Sequence, residues 1–511
     1  MRTIHYVLMA VISVSIISCS IFRSTPSYKL TTTVIPAEGG TISPASGNFD
    51  KDRMIDITAI ANDNYVFVRW EGDLVGNSSN ANLKFNSDKN IRAVFTLKEY
   101  SLTINTVGEG TVTEEIVQAK TDYEHGTTVR LTAEPDQLWV LDRWEGDIET
   151  IDNPVEITID NPKSVTAVFE RLENPLFAMG YNHNGQLGDR TLADRHDPLF
   201  SINNVKVITG GSWHSLAIKS NGSLWGMGYN YHGQLGAGIV DDQHTPILVT
   251  TDVKGVAAGE SHSIFVKEDG TLYGMGDNSE GQLGVGTTAS TSAPIQIDTN
   301  VKSVAIGEWH SLYIKNDGTL WGMGINTDNQ LSNDVNALHY LNPIQIDSDV
   351  IHVAAGNRFT VYIKSNGSLW AVGGNASGQL GDGTTTKRTE PYQVASDVSY
   401  VTAGRDHTLF ITGNNSLMGM GNNTKGQLGG GVENTNSINS PIVLDTDVIH
   451  AVGGSRHTMY IKGNGSLWGM GLNDNGQLGD GTTTQRWSAV MIDTEVVYVA
   501  AGVFHSLYVK E

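Results

Sequence analysis

The chain has 511 residues, more than one ordinary core accommodates, and 57 of them are glycine, so several turn-rich domains are expected. A single cysteine excludes an internal disulfide and a CxxC metal site. A net charge of -22, shared between both halves of the chain, excludes a basic nucleic-acid-binding domain.

In chain order, Arg2 and His5 precede an apolar run from Tyr6 to Ile17. Such a run makes about 18 Å of helix, short of a hydrocarbon core of roughly 30 Å. It therefore predicts an export signal over residues 1–18, not a membrane span. The run ends Ile16-Ile17-Ser18-Cys19 at the sole cysteine, and this resembles the bacterial lipobox. The resemblance implies cleavage before Cys19, lipidation of its thiol and a short tether over 19–27. It places the protein in the bacterial cell envelope, at the outer membrane or cell surface, as a monomer held to the membrane by that lipid; without lipidation it would be secreted.

Two copies of a module follow, over 28–97 and 98–173. The string RWEGD occurs at Arg69–Asp73 and again at Arg143–Asp147, 74 residues on, and AVF recurs at the same distance, at Ala93–Phe95 and Ala167–Phe169. Apolar alternation at Ile55, Ile57, Ala59 and at Val129, Leu131, Ala133 predicts half-buried strands. Gly39-Gly40 and Gly108-Glu109-Gly110 mark hairpin turns. The pair resembles the divergent internalin-type B-repeat, or bacterial repeat domain. In each copy the tryptophan (Trp70, Trp144) is expected to fill a small core, and the aspartate (Asp73, Asp147) to cap a turn.

From Asn174 a shorter unit repeats. GQLG starts at Gly185, Gly233, Gly281, Gly378, Gly426 and Gly476, with a degraded copy, NQLS, at Asn329, in steps of 48 to 50 residues. Each unit predicts four short strands bounded by Gly, Asn, Asp or Pro, the signature of a propeller blade. The array begins and ends midway through a unit, at Pro175–Gly180 and at His505–Lys510. The two half-units can therefore pair and close a ring, removing exposed edges. These residues, "WGMGLNDNGQLGDG" at Trp468–Gly481 above all, resemble the regulator of chromosome condensation repeat. The resemblance covers 174–511 and implies a seven-bladed β-propeller. The fold class expected for the whole chain is all-β: that propeller, preceded by two small β-rich repeat modules.

Six histidines share one repeat position: His214, His262, His310, His407, His457 and His505. Blade symmetry spreads equivalent residues around a ring, so they are read as structural, bonding loop backbone. Trp225, Tyr273, Trp321, Trp370, Met418, Trp468 and Phe177 share another position and are read as blade-to-blade packing. No phosphate loop, HExxH, GxSxG or EF-hand motif occurs. No catalytic residue, cofactor or metal is predicted.

Function is expected at the variable positions. The two residues before each repeated histidine vary strongly and lie in a loop, so all seven pairs should ring one face. They contribute Trp213, Trp309, Arg358, Arg405, Arg456 and Phe504 as candidate partner-binding residues. Phe359, which replaces the seventh histidine, joins them, and a second variable set adds Tyr231. Tryptophan and arginine are common interface anchors. The favoured function is a non-catalytic envelope lipoprotein whose propeller face binds a protein or a glycan, the two modules acting as a stalk. Secreted bacterial propellers similar to these repeats include β-lactamase inhibitors, so an enzyme inhibitor is the alternative. Guanine-nucleotide exchange, the best-known activity of the repeat family, conflicts with export. A glycan-active enzyme lacks an identifiable carboxylate pair.

Overall fold

The computed structural model describes residues 25–117, 123–136, 138–332, 334, 336–430 and 437–511. The expected signal over 1–18, the expected lipidation site Cys19 and most of the expected tether lie outside the described residues. The chain divides into two compact units, one reaching Arg171 and the other running from Leu172 to Glu511.

The first unit holds two β modules. In the first, Gly47–Asp50, Ser27–Ile35, Lys89–Leu97 and Tyr65–Gly72 form one sheet, and Gly40–Ser43, Met54–Ala61 and Asn80–Lys84 form another. Trp70 lies between them with Leu30, Ile57, Phe85 and Phe95, and its indole N–H donates to the Ser78 carbonyl at 2.9 Å. Trp144 repeats this in the second module, donating to the Asp152 carbonyl at 3.1 Å. The aspartates cap as expected: Asp73 accepts from the Asn90 N–H and Asp147 from the Ser164 N–H, at 2.7 and 2.6 Å. RWEGD is thus core and turn chemistry.

The second unit is a propeller of seven four-stranded antiparallel sheets. A complete blade is Val205–Gly210, His214–Lys219, Leu224–Gly228 and Gln243–Thr250, inner strand to outer, in chain order. The second strand is buried on both faces, which is why it reads as an almost unbroken apolar run. The last blade is composite. Val496–Ala501 and His505–Lys510 supply its inner strands, and Leu176–Gly180 and Arg195–Ile202 its outer ones. Leu176 pairs with Val509 and Gly180 with His505, so the two chain ends close the ring.

The repeated histidines are fully buried, but they do not bond loop backbone through their rings. Each imidazole reaches into the next blade. His214 Nε2 lies 2.8 Å from Ser263 Oγ, His262 Nε2 2.9 Å from Ser311 Oγ, and His505 Nε2 2.9 Å from Ser215 Oγ. Ser263 already donates its proton to the Gln234 carbonyl at 2.9 Å, so Nε2 must be the donor to the serine. Burial pushes these imidazoles down, to about 3 for His214 and about 4 for His310, and holds them neutral. The chain of contacts breaks once, at Phe359.

Candidate binding face

The loop between the inner and second strands is pinned at its base. Gly211 N–H donates to the His214 carbonyl at 2.8 Å, and the imidazole packs so closely that a Cβ on Gly211 would lie 2.5 Å from His214 Cε1. Glycine is required there by contact; of the two residues that follow, Ser212 is buried and Trp213 is half-buried. A second loop, opening with the Gly-x-Asn turn, is zipped to the first. Tyr229 N–H donates to the Trp213 carbonyl at 2.8 Å, Tyr181 N–H to Phe504 at 2.9 Å and Gly374 N–H to Arg358 at 2.7 Å. Buried Asn230 holds this loop, accepting from Leu235 N–H at 2.9 Å and donating to the Ile239 carbonyl at 3.0 Å. The same geometry recurs in every blade, so both variable sets lie on one face.

That face has two sectors. In the aromatic one, the Trp213 ring lies 5.4 Å from Phe504 and 5.4 Å from Tyr181, which sits 4.5 Å from His183. Tyr231 stands beside it, 70% exposed and 5.2 Å from the His232 ring. In the charged sector, Arg405 Nε reaches across the channel mouth to Glu308 at 3.2 Å, two blades away, and Arg358 pairs with Asp328 at 3.4 Å. Burial pushes the Glu308 carboxyl up to about 7; Arg405 opposes the shift and Glu260 adds to it. Arg456 is exposed and Trp309 half-buried, and neither joins the aromatic cluster.

One candidate is corrected. Phe359 is 0% exposed and fills the place of a histidine in the core, so it cannot touch a partner. Tyr181 was missed, although the string Gly180-Tyr181-Asn182 matches Gly228-Tyr229-Asn230 and carried the signal.

A rigid ring of blades presenting a varied loop face defines a β-propeller binding scaffold. The chain belongs to the RCC1-like domain family, which matches residues 175–508, and residues 30–99 and 100–173 each match the divergent InlB B-repeat domain. Among solved structures it is similar to human WBSCR16 (22% identity, TM-score 0.60), covering 66% of this chain and 99% of that one. It is also similar to Prp20p from Saccharomyces cerevisiae, a protein with binding properties toward Gsp1p and histones (19% identity, TM-score 0.60), over 66% of this chain and 91% of that one. Yeast RCC1 (Prp20), solved bound to Kap60, matches at 18% identity and a TM-score of 0.59, over 66% and 88% of the two chains. At these identities the likeness shows the fold alone. No curated protein sequence matches the chain.

Proposed function

We propose that this protein is a non-catalytic binding protein of the bacterial cell envelope, lipid-anchored at Cys19, whose propeller takes a protein partner on its loop face. The observation that carries the reading is the cluster of Trp213, Tyr181 and Phe504 on loops held by backbone hydrogen bonds, on the same face as the Arg405–Glu308 pair. Aromatic and arginine anchors dominate interface energetics, and a preorganised face loses little entropy on binding. The family fold supports a protein-binding role: proteins of this shape include Prp20p, with its binding properties toward Gsp1p and histones.

A pull-down from envelope extracts with the full chain would supply the partner. A Trp213→Ala/Trp309→Ala/Arg405→Ala variant is expected to lose binding by at least about 30-fold. Binding at wild-type affinity would overturn this placement. Lipid labelling that persists in Cys19→Ser would overturn the anchor.

A further inference from the structure

The third residue of the inner strand occupies one register position in all seven blades, opposite Ile218, Val266, Ile314, Ile363, Ile411, Ile461 and Val509 of the second strands. Packing symmetry would ask for similar residues there. Instead three consecutive blades carry Val207, Gly255 and Ser303, and the other four carry His352, Tyr400, His450 and Tyr498. Those four rings form a continuous row, each tilted against the next, with centroids 4.9, 5.1 and 4.8 Å apart. They wall one side of a cavity of about 270 Å³ in the central channel.

The opposite side is lined by the other three blades, and Gly255 leaves a gap beside it. A Cβ built on Gly255 would meet no atom within 4 Å, and its φ lies outside the left-handed region, so neither crowding nor backbone conformation requires glycine there. Toward the binding face the channel narrows at a ring of glycines. A Cβ on Gly307 would lie 2.4 Å from the Gly356 carbonyl oxygen, and one on Gly404 2.4 Å from that of Gly454.

The lining sets the chemistry. Among the described residues, no charged side chain borders the cavity. The inner strands have a neighbour on one side only, so their other edges present backbone N–H and C=O groups to the channel. The Nδ1 atoms of His352 and His450 are buried without a hydrogen-bond partner. Burial pushes both imidazoles down to about 4, leaving them neutral near pH 7. Such a site offers ring surfaces and many uncharged donors and acceptors.

We propose that the channel is a binding chamber for a neutral monosaccharide, walled by the row of rings from His352 to Tyr498 and entered past Gly255 and Ser303. Sugar hydroxyls would bond the strand edges, while the ring's C–H face would lie on the aromatic wall. The site is separate from the loop face.

Saturation-transfer NMR and calorimetry on the full chain, with D-glucose, D-galactose and D-mannose as probes and D-glucuronate and D-glucosamine as charged controls, test this. At least one neutral hexose is expected to bind saturably and more tightly than its charged counterparts. Gly255→Trp is expected to weaken binding at least about tenfold with an unchanged melting temperature, and Ser303→Trp serves as a second plug should the first misfold. Trp213→Ala is expected to bind as wild type. Absence of saturable hexose binding, which would mean water alone fills the channel, overturns the proposal. So does equal binding of the charged sugars, or wild-type affinity in both plugged variants.

Discussion

The hydroxyl of Tyr313 donates to Asp298 across the boundary between two blades, at 2.6 Å. Asp298 ends the outer strand of one blade, and Tyr313 lies in the second strand of the next. Lys315 pairs with the same carboxylate at 2.8 Å, its ammonium 4.8 Å from the Trp321 ring centroid. Burial works against the Asp298 charge, but Lys315 and Tyr313 outweigh it and hold the carboxyl below its usual range. The clamp recurs as Tyr362–Asp347, Tyr460–Asp445 and Tyr508–Asp493. Where the outer strand ends in Ile202, Thr250 or Ala395, the facing residue is Ala217, Phe265 or Phe410. Acid and phenol are present together or absent together, as expected if an unpaired partner is costly at a buried boundary.

Removing the acid is therefore expected to cost more than removing the hydroxyl. Asp298→Ala removes the acceptor of Tyr313 and the counter-ion of Lys315 and should destabilise by about 1–3 kcal/mol; Tyr313→Phe should cost about 1 kcal/mol. Urea denaturation of both variants and of the double variant checks this. The double variant should fall short of the sum of the single losses.

The buried histidines make stability depend on pH. Their folded values, about 3 for His214, His262, His407 and His505 and about 4 for His310 and His457, lie below an unfolded value near 6.5. Between those limits the unfolded chain binds more protons, so stability rises with pH. The contribution is complete above about pH 6.5 and is lost progressively as the pH falls toward 4. Thermal melts from pH 8 to pH 5 should show a plateau above neutrality and then a steady drop.

Phe359→His is expected to be tolerated, within about 1 kcal/mol of wild type, because a new hydrogen bond offsets the lost apolar ring. The Thr408 hydroxyl in the next blade donates to the Gln379 carbonyl at 2.8 Å, as Ser263 does to Gln234, so it can still accept from an imidazole. Gly356 already accommodates a ring as closely as the histidine-bearing blades do. A melting temperature close to wild type at pH 7.5, with a steeper acid drop, is the expected result.

Two glycines separate contact from conformation. A Cβ on Gly307 would lie 2.3 Å from His310 Cε1 and 2.4 Å from the Gly356 carbonyl, whereas one on Gly255 meets nothing. Gly307→Ala should destabilise by about 1–3 kcal/mol or fail to fold, and Gly255→Ala should leave the melting temperature unchanged or slightly raised. Differential scanning fluorimetry of the pair distinguishes them.

The repeat was readable because each blade restates the same contacts. Asn230, the paired Leu235 N–H and the Gly-Gln-Leu-Gly turn are one hydrogen-bonded unit, so chemistry keeps their spacing fixed. Even the degraded copy follows: Asn329 takes φ 63°, a conformation asparagine tolerates, in place of the first glycine. The binding face was readable in part. The loop positions were visible as variation, but Phe359 was misplaced because one phenylalanine beside variable loop residues looks like another. Only its burial on Gly356 shows it to be a core ring.

The amino-acid sequence by itself determined the all-β class, the seven units, the two preceding modules and the half-units that close the ring. Local hydrogen-bond chemistry and strand periodicity impose those features within one repeat at a time, 48 to 50 residues in the blades and 74 in the modules. The tertiary structure decided what lies between blades. It turned the histidines into donors to the next blade's hydroxyls and clamped Tyr313 to Asp298. It gathered Tyr181, Trp213 and Phe504 from opposite ends of the propeller sequence, and it set four rings along one wall of the channel. The histidine contacts and the aromatic cluster join different blades, and Tyr313 meets Asp298, fifteen positions away, across a blade boundary, so none of these pairs exists until the blades are packed against one another.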